Sequence, residues 1–146
     1  MKGEPVVILL VEDEPAHAEI AKRNLRKSGL ANDIRHVSDG QEALDYLFRQ
    51  GCYELPESSP RPHIVLLDLR LPKVDGLEVL AKIKENLELR DIPVVILTTS
   101  AAESDLASAY AQHVNSYLVK PVDFEKFAEQ MQHFGYYWLA WNQYPK

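Results

Sequence analysis

The sequence predicts a doubly wound α/β domain around a five-stranded parallel sheet, and three observations carry that prediction. Apolar runs without polar alternation recur at Val6–Val11, Ile64–Leu67 and Val94–Leu97, joined by the weaker Ile34–Val37 and Ser116–Val119. Strands that are apolar at every position are buried on both faces, the condition of a parallel sheet covered by helices. Amphipathic stretches lie between them, so strand and helix alternate as βαβαβαβαβα. The 146 residues match one domain of this kind, 1–146. Right-handed crossovers place helices on both faces and favour the flavodoxin-like strand order 2-1-3-4-5.

Each element has a local reason. The first strand stops at Glu12-Asp13-Glu14, and Pro15 stands where a helix begins, a position whose amide hydrogen has no partner to lose. The first helix, Ala16–Lys27, carries Ile20, Ala21 and Leu25 on one side, with Gly29 as its expected C′ residue. Gln41–Arg49 forms the second helix around Ala43, Leu44, Leu47 and Phe48. Residues 51–62 hold three prolines and two serines and read as an extended, exposed loop before the third strand. Leu77–Asn86, Asp105–Gln112 and Phe124 onward supply the remaining helices.

Composition narrows the function. With 46% hydrophobic and 26% charged residues the chain has the material for an ordinary core. Sixteen basic and 22 acidic residues leave a net charge of −6 without a basic stripe, which argues against nucleic acid or a membrane surface as partner. Cys52 is the only cysteine, which excludes an internal disulfide and a Cys-rich zinc site. The apolar run Val6–Val11 is too short for a secretory leader or a membrane span, so the expected location is cytoplasmic.

In an open α/β sheet, ligands bind beyond the carboxyl ends of the strands, where the strand order reverses. The first strand ends in Glu12 and Asp13, the third in Asp68, the fourth in Thr98 and the fifth in Lys120. An acidic pair after a strand is most often a solvated turn, and Asp13 could cap a helix. Three acids, a threonine and a lysine converging from four strand ends outweigh that reading. The crowded carboxylates call for a hard cation, Mg²⁺, for which Mn²⁺ can substitute. Beside such a cation Asp68 becomes a nucleophile towards phosphorus, with Lys120 neutralising phosphoryl oxygens and Thr98 donating a hydrogen bond. The added charge of about −2 makes the product a switch. Pro72 and Gly76 after Asp68 could mark no more than a turn, with Gly76 permitting a positive φ, but the wholly apolar strand before Asp68 favours the functional reading. His17, His36, His63, His113 and His133 show no ligand spacing and read as surface or structural residues, and Cys52 as an incidental thiol.

The segments Ile8-Leu9-Leu10-Val11-Glu12-Asp13-Glu14-Pro15, Asp68-Leu69-Arg70-Leu71-Pro72-Lys73-Val74-Asp75-Gly76, Val95-Ile96-Leu97-Thr98 and Lys120-Pro121 follow one another at consistent spacing. In this the chain resembles, along almost its whole length, the receiver domain of two-component response regulators. The resemblance implies a phosphoacceptor, Asp68, served by a sensor histidine kinase. It implies a magnesium site of Glu12, Asp13, Asp68 and the backbone carbonyl of Arg70, Thr98 as switch hydroxyl, Lys120 as counter-ion, Tyr117 as aromatic switch and a cis Lys120–Pro121 bond. Such a protein is a switch rather than an enzyme, and its output passes through protein contacts to a downstream target.

The loop at 51–62, Thr99 after Thr98, and a tail with Phe124-Glu125-Lys126-Phe127 and Trp138-Leu139 resemble the single-domain regulators that partner phytochrome-type kinases in cyanobacteria and other bacteria. Two rivals stand beside this reading. A haloacid-dehalogenase-type phosphohydrolase also uses a strand-end aspartate, but it needs a second Asp two residues later, where this chain has Arg70, which cannot accept a proton. A phosphorylation-independent interaction domain would have no use for the acidic site, Thr98 or Lys120.

Phe124, Phe127, Met131, Phe134, Trp138 and Trp141 recur at helical spacing and draw one apolar stripe along the last helix. The expected helix outruns the sheet, and the aromatic extension 134–146 predicts a homodimer through Phe134, Tyr137, Trp138 and Trp141. The alternative is a tail bent at Gly135 and folded back on its own domain.

Overall fold

The structure is a computed structural model that describes residues 6–27, 31–99 and 102–141. Five strands, β1 (Val6–Val11), β2 (Ala31–Val37), β3 (Ile64–Leu67), β4 (Val94–Thr98) and β5 (Ser116–Val119), form one parallel sheet in the order β2-β1-β3-β4-β5. Helices α1 (Pro15–Lys27), α2 (Gly40–Phe48), α3 (Gly76–Glu85), α4 (Glu103–Ala111) and α5 (Phe124–Trp141) make the crossovers. The predicted fold and strand order are those observed. Pro15 is the first residue of α1, and Gly29 lies outside the described residues.

Side chains alternate across the sheet, so each strand serves two cores. Leu9, Val11, Val65, Leu67 and Ile96 face α2 and α3, where they meet Ala43, Leu47, Val79, Leu80 and Ile83. Ile8, Leu10, Ile64, Leu66, Val95 and Leu97 face the other way and meet Ala18, Ala21 and Leu25 of α1 and Phe127 and Met131 of α5. Burial on both sides is what the unbroken apolar runs required.

Residues 51–62 do not form the wholly exposed loop the prolines suggest. Two short 3₁₀ turns, Gly51–Tyr53 and Pro56–Ser58, fold it back on α2, and Ser59 is fully buried. Tyr46 donates its hydroxyl to the Pro60 carbonyl at 2.6 Å, Arg61 reaches the Leu47 carbonyl at 2.6 Å, and Tyr53 donates to Glu42 at 2.7 Å. The loop's polar groups are thus satisfied by α2 rather than by solvent alone.

Helix α5 runs unbroken through Gly135 as far as Trp141, so the bend of the alternative reading is not found at that glycine. Its stripe turns inward further than expected: Phe127 and Met131 are buried, and Phe134 and Trp138 pack on the same cluster, stacked at 5.8 Å between ring centroids. Gln132 ties α5 to α1 by donating to Asn24 at 2.7 Å. Tyr137 is 62% exposed, and the Trp141 side chain lies outside the described set.

Candidate functional site

Strand register builds the site. Val11 pairs with Leu67 and Thr98 with Val119, so the next residues, Glu12, Asp68 and Lys120, emerge together at the carboxyl edge of the sheet. Glu12, Asp13 and Asp68 each place a carboxylate oxygen within 4.8 Å of the others. Glu12, Asp68, Thr98 and Lys120 are all buried, while Asp13 is exposed at the rim.

Lys120 is the hub. Its ammonium donates to Asp68 Oδ2 at 3.0 Å, to Glu12 Oε1 at short range, and to His17 Nδ1 at 3.0 Å. Its backbone N–H donates to the Thr98 carbonyl at 2.7 Å, locking the end of β5 to β4. No cis peptide bond occurs among the described residues, so the expected cis Lys120–Pro121 is not found. The lysine is aimed by these contacts instead. Burial pushes the Glu12 carboxyl up from 4.5 to about 7 against the pull of Lys120. Burial and the neighbouring ammonium push the His17 imidazole down from its ordinary value, against the pull of the nearby carboxylates.

The turn after Asp68 is clamped by two glycines. A Cβ at Gly76 would lie 2.3 Å from the Asp68 carbonyl oxygen, and one at Gly40 would lie 1.9 Å from the Val74 carbonyl oxygen. Gly76 begins α3 without the positive φ that a turn glycine permits; the left-handed residue in the turn is Lys73, at φ 70°. The glycine is required there for space.

Arg70 carries a role the sequence did not disclose. Its backbone N–H donates to Asp68 Oδ1 at 3.2 Å, and its guanidinium pairs closely with Asp105, a buried carboxylate on α4. The loop bearing Asp68 is therefore tied to α4. Tyr117 lies half-buried against the cluster under α2 and α3. His17 was also missed, since ligand spacing along the chain does not reveal that α1 starts at the carboxyl edge of β1 and carries this ring over Lys120.

Comparison with known proteins decides the family. The response regulator receiver domain matches residues 8–132 of the chain. The chain belongs to the response regulator receiver family. Among its relatives, the receiver is 49% identical over 144 residues to the probable methanogenesis regulatory protein FilR2 of Methanothrix harundinacea, covering 97% of this chain and 89% of that one. It is 44% identical to response regulator Rcp1 of Synechocystis over 135 residues, covering 92% of this chain and 90% of Rcp1. The crystal structure of Mn²⁺-bound Rcp1 superposes with a TM-score of 0.91 at 43% identity, over 97% of this chain and 100% of that one. That of the phosphorylated cyanobacterial phytochrome response regulator RcpA does so with 0.92 at 37% identity, over 98% and 100%.

The donor set suits a hard divalent cation. Three carboxylates present oxygen ligands within 4.8 Å of one another, and Asp13 at the rim leaves room for water, which Mg²⁺ retains. Among the described residues no helix is long and apolar enough to cross a membrane.

Proposed function

We propose that this receiver takes a phosphoryl group from a sensor histidine kinase onto Asp68 and signals through protein contacts. The observation that carries this reading is a buried lysine bridging Glu12 and Asp68 within a cluster of three carboxylates. Asp68 attacks phosphorus, a new oxygen–phosphorus bond forms, and the donor's bond to phosphorus breaks with its electron pair leaving on the donor. Lys120 follows the transferred oxygens, and Thr98 supplies its hydroxyl from the end of β4. Glu12, Asp13, Asp68 and the Arg70 carbonyl would hold Mg²⁺ or Mn²⁺, which supplies charge neutralisation at the phosphoryl group.

The phosphoryl group is read out on the surface of α4, β5 and α5. Arg70 connects the acceptor loop to Asp105 on α4, and Tyr117 on β5 packs on the core cluster that includes Ala109 of α4, which supports this reading. Arg70 in place of a second aspartate fits an acceptor rather than a phosphohydrolase.

The upstream kinase is of phytochrome type, a reading supported by the likeness to Rcp1 and to RcpA, which is a phytochrome response regulator. FilR2 supports a second reading, a methanogenesis regulator. Transfer from an autophosphorylated bacterial phytochrome kinase decides between them: fast labelling supports the first, and transfer only from an unrelated kinase the second. The protein works in the cytoplasm and pairs as a homodimer across α5. Exposed Tyr137 supports the pairing, although Phe134 and Trp138 are spent largely inside the chain. Sedimentation equilibrium tests it, since a monomer mass unchanged by deleting residues 136–146 removes the dimer.

Incubation with acetyl phosphate and Mg²⁺, read by intact mass, tests the reaction. One phosphoryl adduct is expected, abolished by EDTA and strongly slowed by Asp13→Asn, with Glu12→Gln milder. Equal labelling with and without chelator contradicts the mechanism, and steady turnover of a phosphate ester would favour the phosphohydrolase.

A further inference from the structure

We propose that His17 is a positioning residue for phosphoryl transfer, an uncharged acceptor that holds the Lys120 ammonium at the α1 wall of the site. The inference rests on the phosphoacceptor reading of Asp68 and deepens it.

A lysine ammonium has three N–H donors and no acceptor capacity. Lys120 spends them on Glu12, Asp68 and His17. Two of these acceptors are carboxylates, and the third is an imidazole nitrogen. Because the ammonium can only donate, Nδ1 of His17 must be the unprotonated nitrogen, with the ring proton on Nε2. The ring is set by two phenyl groups: Phe127 at 5.6 Å and 72°, and Phe124 at 6.0 Å and 90° between ring planes. Phe127 is almost fully buried, so the imidazole has a fixed wall behind it. Burial and the adjacent ammonium both pull the imidazole down from its ordinary value.

The choice of a neutral third acceptor has a chemical consequence. A third carboxylate in this position would add one more negative charge to repel an incoming phosphoryl dianion. An apolar residue would leave one N–H without a partner in a buried site and drive the ammonium onto Glu12 and Asp68. With His17 in place, Lys120 keeps two fixed partners, Glu12 and His17. It exchanges only the Asp68 oxygen for a phosphoryl oxygen when the new bond to Asp68 forms and the donor leaves with the electron pair of its broken bond.

Two variants separate positioning from packing. His17→Leu keeps apolar contact with Phe124 and Phe127 but removes the acceptor. His17→Asn loses the ring packing but can place its Oδ1 near the site of Nδ1. Rates of labelling by acetyl phosphate at saturating Mg²⁺ are measured beside thermal stability. The expected result is that His17→Leu labels about tenfold more slowly, the equivalent of one hydrogen bond to a charged group. His17→Asn is expected within about threefold of the parent while being the less stable of the two. A purely structural role gives the opposite order, with rates following stability, and that result overturns the proposal. So does labelling of His17→Leu at the parent rate. Nitrogen NMR of the unaltered protein tests the same claim without a variant: the Nε2–H tautomer of His17 at neutral pH is expected, and the Nδ1–H tautomer overturns it. If the unaltered protein takes no phosphoryl group, the phosphoacceptor reading itself fails; normal labelling with no effect of the acceptor fails His17 alone.

Discussion

Leu66 and Asp68 stand two residues apart on the same run of chain, both almost without solvent exposure. Burial stabilises one and taxes the other. Within the sheet, Leu66 belongs to an apolar cluster with strand neighbours and with residues of α1 and α5, and each such side chain contributes about 1.5–3 kcal/mol. Two residues on, at the carboxyl edge, the same burial encloses Glu12, Asp68, Lys120 and Thr98, which must satisfy one another. The faces hold the fold together, and the edge is the place where the fold holds charges that water would hold more cheaply. Stability and function therefore occupy neighbouring residues with opposite requirements.

Truncation on the apolar side gives the largest expected effect. Leu66→Ala should cost about 2–5 kcal/mol in chemical denaturation, with phosphoryl labelling per folded molecule unchanged. Gly76→Ala sits on the border and should damage both: its Cβ meets the Asp68 carbonyl at 2.3 Å, so stability falls by about 1–3 kcal/mol and labelling slows with it. A Gly76→Ala protein that labels normally would show that the clamp on the turn plays no part in the site.

Effects at the charged edge are smaller and depend on pH. The folded Glu12 carboxyl sits at about 7, above its ordinary 4.5, so the stability its proton provides is complete below 4.5 and is lost as pH rises towards 7. Glu12→Gln does not titrate. In chelator, its stability relative to the parent should therefore rise across that interval, as read by urea midpoints at several pH values. A constant difference would mean that Lys120 compensates Glu12 completely. Smallest of all, Arg70→Ala should barely move stability because the guanidinium is largely exposed, yet amide exchange in α4 should quicken as the Arg70–Asp105 ion pair is lost. Unchanged exchange would leave α4 uncoupled from the acceptor loop.

The same contrast explains what the sequence made legible. Runs such as Ile64–Leu67 announce a buried strand because every position reports the same environment, and strand order then places Glu12, Asp68 and Lys120 together. The contacts that escaped notice act across the fold rather than along the chain. His17 and Lys120 are 103 positions apart, and Arg70 and Asp105 are 35 apart, with no local pattern marking either pair. Gly76 was legible only as a turn glycine that permits a positive φ, and only the packed structure shows the carbonyl that excludes a side chain there. The aromatic stripe of α5 read as surplus because the sequence does not reveal how much of it α1 and its cluster cover.

The central claim is that the charged edge exists to place one phosphoryl group on Asp68. Treating the protein with acetyl phosphate and Mg²⁺, reducing the acyl phosphate with borohydride and mapping the peptides locates the acceptor directly. The account predicts homoserine at position 68 alone and none in Asp68→Asn. Homoserine at position 12 or 13, or an undiminished yield from Asp68→Asn, would contradict it.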